Sequence, residues 1–348
     1  MANFSEFTLT NGALTDINKV MFDAIFKFGD IFKTCSPRNG VKNGEKADFV
    51  DKMSDVGWAG RGCNPTYKNI DITGRELTWA LGKWSAPLEF CYERLESTIA
   101  NYCLKTGTAR EDVTGTDFWE KIFMPLLKDA LDRMYWRMGW FGDTAAEVVA
   151  NNGVLKAGTD KTLFNMADGL WKRIFAATAS AHHTTIAANA QTTYALQQSK
   201  LREDGVAIGI FESILADASA LIEGGVLMVT KSLADALRKD YRREFKSTIP
   251  FYEAAEGVKL EQFDSVPILP VPEWDAIIRE FEDDGTKWNN PHRAVLTNIE
   301  NLLVGTSDKS LFADLTIGFD DKKRTNYTYA ASDIGTLVNN PELLQAAY

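Results

Sequence analysis

The strongest constraint on this chain lies in residues 117–138, "DFWEKIFMPLLKDALDRMYWRM". Phe118, Ile122, Leu126, Ala130 and Met134 recur at spacing four and predict an apolar helical stripe. Trp119, Phe123, Leu127, Leu131 and Tyr135 predict a second stripe beside it. Asp117 and Glu120 form a capping-box pattern at its start. A helix of this length spans about 33 Å. Pro125 predicts a kink or a restart, and "GWFGD" at 139–143 predicts the end. A helix with so wide an apolar face needs partners on more than one side.

The rest of the chain can supply them. Of its 348 residues, 45% are apolar and 25% charged, a globular mix long enough for one large domain or two ordinary ones. Nine Trp and twenty Phe suit cores and protein interfaces alike. The net charge of −10 argues against a dedicated nucleic-acid binder, which carries a basic surplus. It does not exclude a protein that encloses nucleic acid without gripping it. Cys35, Cys63, Cys91 and Cys103 form no CxxC and read as small buried hydrophobes of a reducing cytoplasm. "MANFSEFTLT" lacks the basic and apolar regions of a secretory signal, and no run of about 18 apolar residues predicts a membrane span.

Along the chain, Ile17, Val20, Met21, Ile25, Phe28, Ile31 and Phe32 predict an amphipathic helix over 15–34. Residues 36–69 hold five Gly and two Pro with little periodicity, so their order is expected to come from elsewhere, a neighbouring subunit included. Residues 68–83 read as a hairpin: Ile70 and Ile72 alternate, "TGRE" turns, then Leu77, Trp79 and Leu81 alternate. Ser85 and Pro87 offer a helix start. The stretch 175–196 is ambiguous. Ile208, Phe211, Leu215, Ala218 and Ile222 predict a helix, "GGVLMVT" at 224–230 a buried strand, and Ser232 a cap for the next helix. "SVPILPVPEWDAII" at 265–278 reads as a proline-stiffened edge strand entering a helix at Pro272. Leu315, Ile317 and Phe319, then Tyr327 and Tyr329, predict a late hairpin across "DDKKRTN".

Catalytic motifs are sparse. His182, His183 and His292 form no compact metal pattern. There is no GxSxG and no P-loop, and "GWAGRG" at 57–62 follows no convincing strand. Asp283-Asp284 and Asp320-Asp321 sit in turn-like contexts. No catalytic, cofactor-binding or metal residue is assigned. A long arm, an aromatic hairpin and a doubly striped helix favour a subunit of an assembly over an enzyme.

The order of these elements resembles the major capsid proteins of tailed bacteriophages, with the Hong Kong 97-type fold. The likeness runs through arm, hairpin, long helix ending near "WFGD", "GGVLMVTKSLADALRKDYR", "VPILPVPEWD", "NPHRAVLTNIENLLVGT" and late hairpin. It implies an α+β chain: an N-terminal arm (1–65), an extended hairpin loop (66–88), a peripheral domain with the spine helix (89–149) and an axial domain (150–310). A peripheral-domain hairpin (311–330) and a C-terminal return to the axial domain (331–348) would follow. Residues 143–205 match no part of that pattern. It implies self-assembly into pentamers and hexamers of an icosahedral virion shell around double-stranded DNA, built in the host bacterial cytoplasm. No cofactor or membrane is implied; partners would be copies of the chain, with portal, scaffold or decoration proteins. Assembly contacts would include Trp58, Tyr67, Arg75, Trp79 and Trp84. Two alternatives stay open: an encapsulin-like nanocompartment shell, and a cytoplasmic enzyme using carboxylates in a cleft.

Overall fold

The computed structural model describes residues 30–53, 72–91, 100–101, 103–107, 124–146, 155–179, 181–220, 222, 224–253, 259–307, 314–320 and 325–348. After a 3-10 turn at Asp30–Lys33 come β1 (Ser36–Asn39), β2 (Lys46–Met53), β3 (Ile72–Thr78), β4 (Gly82–Cys91) and helix α1 (Met124–Phe141). Next are α2 (Leu170–Thr178), the short β5 (His183–Thr184), α3 (Tyr194–Leu201) and α4 (Val206–Asp217). The chain continues through β6 (Val226–Thr230), α5 (Lys231–Glu244), β7 (Phe251–Glu253), β8 (Lys259–Phe263), β9 (Val266–Val271) and α6 (Pro272–Phe281). It closes with β10 (Ala294–Thr297), β11 (Leu302–Thr306), β12 (Asp314–Asp320), β13 (Thr325–Val338) and β14 (Leu344–Ala347).

A mixed seven-stranded sheet runs β5-β14-β10-β6-β9-β8-β7. Its central strands β6 and β10 are apolar up to a terminal Thr because both faces are covered. Leu227 and Val229 of β6 and Ala294 and Leu296 of β10 pack with α4 and α5. Met228 and Val295, one residue out of phase, face the other side with α1, α2 and α6. There Trp140, Trp171 and Trp274 meet with ring centroids 4.5–5.6 Å apart. Trp140 donates its Nε1 proton to Thr34 Oγ1 at 3.1 Å, which ties the segment before β1 into the core. The fully buried Arg293 donates to the buried Glu282 carboxylate and lies 5.2–5.4 Å from the rings of Phe141, Trp171 and Phe175.

A second sheet is organised by β13. Its residues 335–338 pair with β11, 325–331 with β12 and 325–334 with β4, while β1 lies parallel to β11. The late hairpin is therefore present as β12–β13, and β14 carries the chain end into the seven-stranded sheet.

Several expectations need correction. "TGRE" does not turn: it lies inside β3, which pairs with β2 at 46–53, so the hairpin's first strand belongs to the span expected as arm. Ser85 and Pro87 start no helix. Trp84, Ala86 and Leu88 face inward while Ser85, Pro87 and Glu89 face outward, a two-residue period that makes β4 a strand. Residues 36–39, expected to be irregular, form β1. In α1, Leu127, Leu131, Met134 and Tyr135 are buried, but Leu126 is 60% exposed and Ala130 is exposed. Pro125 is the second residue of α1, which runs unbroken to Phe141. The capping-box pair Asp117 and Glu120 lies outside the described residues, as does the predicted helix before Asp30. The cap of α5 is Thr230 rather than Ser232. The Asp275 carboxylate supplies the bonds, accepting from the Lys231 and Ser232 N–H groups at 2.6 and 3.2 Å.

β9 is not an edge strand; it sits between β6 and β8. The positive φ of Asp264 (46°) and Ser265 (69°) makes the β8–β9 connection a two-residue primed turn. The flanking pair Phe263–Val266 is then the hydrogen-bonded one, and alternation aims the Pro267 nitrogen away from β8. It points to the β6 side before that ladder starts at Ile268, and Pro270 points to the β8 side after that ladder ends at Ile268. The strand is interior, yet neither proline removes a ladder bond.

Candidate assembly surfaces

Strands β2 and β3 form a two-stranded ribbon that pairs with no other described strand. Seven residue pairs run from Lys46–Thr78 to Met53–Ile72, with a bulge between Val50 and Lys52. An isolated hairpin is marginal in water, so the ribbon needs either a firm root or a neighbour. Its root is firm. Trp79, 5% exposed, packs with Leu303 and Leu337, which are paired on β11 and β13. The Trp79 N–H donates to the Glu45 carbonyl at 2.9 Å, and the Gly44 N–H to the Trp79 carbonyl at 2.8 Å. Val41 N–H reaches the Thr306 carbonyl at 3.0 Å, and Leu81 N–H the Asn43 Oδ1 at 3.0 Å.

This root crosses the sheet where Gly305 of β11 faces Gly335 of β13. A Cβ on Gly305 would lie 2.5 Å from the Trp79 ring, and one on Gly335 2.7 Å from the Ala80 carbonyl oxygen. The paired glycines let the ribbon root lie flat on the strands. β11 is consequently buried on both faces, with Leu302 and Val304 in the main core and Leu303 under Trp79.

Three further surfaces are exposed. Tyr327 and Tyr329 on β13 are 40% and 42% exposed, opposite Glu89 and Pro87 of β4. Phe245, at the C-cap of α5, and Phe251, the first residue of the edge strand β7, are 55% and 59% exposed. Arg242 and Arg243 occupy the last turn of α5 beside them. A groove of about 800 Å³ runs between α1 and α6, with exposed Leu126 on its lining.

The expected contact residues divide. Trp58 and Tyr67 lie outside the described residues. Arg75 is on β3 opposite Phe49. Trp79 is in the ribbon root, and Trp84 on β4 is 3% exposed with its ring edge-on to Tyr135 of α1, centroids 5.9 Å apart. Both tryptophans are buried by their own chain. Phe245 and Phe251 escaped the sequence reading, and Tyr327 and Tyr329 were read there only as strand residues of the late hairpin.

The His183 ring lies 4.0 Å from Tyr348, and His182 has φ 61°. His292, 2% exposed, has Nδ1 2.9 Å from Ser232 Oγ. Burial drives its pKa down to about 4, against the pull of the Gln197 carbonyl, which does not complete a hydrogen bond to Nε2. Cys35 is buried, and burial pushes its thiol up to about 12. Among the described residues, no group of three or more His, Cys, Asp or Glu is placed to hold a metal ion. Among them, no helix is long and apolar enough to cross a membrane.

Neither a protein-family model nor a curated protein matches the chain. Solved structures do. One is from the procapsid of satellite phage P4 with its size-determination (Sid) protein: 11% identity, TM-score 0.52, covering 96% of this chain and 98% of that one. A second is from the capsid of an empty GTA particle: 11% identity, TM-score 0.50, covering 92% and 89%. At such identity the likeness is one of fold. The chain has the Hong Kong 97-type fold of phage capsid proteins.

Proposed function

We propose that this chain is the major capsid protein of a tailed phage. Copies would associate into pentamers and hexamers and close into an icosahedral shell around double-stranded DNA. The observation that carries the reading is the β2–β3 ribbon: rooted by Trp79, yet pairing with no other described strand, on a fold shared with capsid subunits. Such a ribbon gains most of its stability from a neighbour's surface. In this reading the ribbon is the extended loop. The β13-centred sheet with α1 is the peripheral domain, and the seven-stranded sheet is the axial domain whose Phe245–Phe251 tip meets its copies. The net charge of −10 suits a wall that contains packed DNA without binding it tightly. No catalytic role is assigned.

Negative-stain microscopy of the purified protein tests this directly. Rings of five and six or closed shells are expected. A species that stays monomeric at every concentration overturns the reading. Shells that enclose a single protein cargo and no DNA, when produced alongside packaging proteins, would favour the compartment alternative.

A further inference from the structure

A cleft of about 290 Å³ opens between α3, α5 and α6. Its charged groups are four cations, Arg202, Lys231, Lys239 and Arg279, and two carboxylates, Asp235 and Asp275. Both carboxylates are committed. Asp235 pairs with Lys231 at 2.5 Å and with Arg238 at 2.7 Å. Asp275, 9% exposed, accepts from the first N–H groups of α5 and offsets the positive end of that helix.

Three cations are left under-neutralised. Arg279 Nη2 is 3.9 Å from Asp275 Oδ1, and its guanidinium lies over the Trp288 ring at 5.4 Å. Lys239 Nζ contacts only the Arg202 carbonyl, at 3.4 Å, and the Arg202 guanidinium has no ion pair among the described residues. Lys46, Lys200 and Arg243, by contrast, pair with Glu76, Glu203 and Asp204. Three cations that line one concavity and share a single, 3.9 Å contact to a carboxylate, in a chain of net charge −10, mark a place where a negative ligand would relieve repulsion.

We propose that this cleft binds a small polyvalent oxyanion of the phosphate class. Arg202 and Arg279 offer planar forks that match phosphate oxygens in pairs, and Lys239 adds a point charge. Ser232 and Gln198 line the same cleft and supply neutral donors. The volume, below that of most drug-sized pockets, fits a pyrophosphate better than a nucleotide.

Calorimetric titration of the full chain with sodium pyrophosphate at about 0.15 M ionic strength tests this. One saturable site per chain is expected. Arg202→Ala and Lys239→Gln should each weaken it about tenfold. Arg243→Ala, on α5 but outside the cleft, should leave it unchanged. Circular dichroism checks that each variant is folded. If a cleft variant unfolds, protection of wild-type Lys239 from acetylation by pyrophosphate, with no protection of Lys246, replaces the affinity readout. Absence of saturation, or equal weakening by Arg243→Ala, overturns the proposal, since diffuse charge attraction would then explain the heat.

Discussion

Single residues set the tolerances of this fold. Gly305 has no room for a methyl group, because Trp79 already fills the space 2.5 Å from where a Cβ would stand. Gly305→Ala should therefore lower stability by about 1–3 kcal/mol, the usual cost of overpacking, and shift the Trp79 emission. Thermal melts and fluorescence read both. Glu282→Ala should cost more, about 3–5 kcal/mol in urea titrations, because it leaves the Arg293 guanidinium charged and unpaired in the core. Replacing the pair together by Leu and Met should cost far less. His292 gives a pH signature. Its pKa falls from 6.5 to about 4 on folding, so the unfolded chain binds the proton first. Its contribution is complete above pH 6.5 and is lost as pH falls through 4, worth on the order of 3 kcal/mol. Asp275, raised by burial, gives the opposite slope nearby. The wild type should thus lose more stability than His292→Asn between pH 6.5 and 4, as denaturant titrations would show.

At the scale of elements, root and ribbon are separable. Replacing residues 50–74 by Asn-Gly joins the paired residues Phe49 and Arg75 through a two-residue hairpin turn. That variant should keep the melting temperature of the parent within a few degrees and fail to assemble in sedimentation. Trp79→Ala should do the reverse first, costing about 3–5 kcal/mol because the root loses its buried anchor. The same elements show what a sequence can reveal. The strand at 226–230, the helix after Pro272 and the late hairpin were legible because each carries its period and its own start signal within a few residues. The β2–β3 pairing was not, since strands 18 residues apart share no local signal and "TGRE" imitates a turn. β4 was misread because Leu88 and Cys91 also fit a helical spacing, and only its partner β13 resolves the choice. Trp79 and Trp84 were read as assembly contacts; their burial by their own chain comes from distant strands and leaves no local signal.

At the scale of the whole molecule, the layered core is completed within one chain, so a folded monomer should precede assembly. Exposed Phe245 and Phe251 stand apart from that core. Changing both to Ser should leave the monomer's melting curve intact and reduce the yield of rings and shells in micrographs. Contacts of this kind are individually weak and act through repetition around a closed surface.

The ribbon root carries one more consequence, a mechanical one. β11 is pinned between the main core on one face and Trp79 on the other. In the proposed shell, a neighbour that tugged or tilted the ribbon would load β11 through the Trp79 root, with the glycine pair as the seat on which it bears. Distortion during closure of a shell would be felt in the core of every subunit, and Trp79 is the natural gauge of that load.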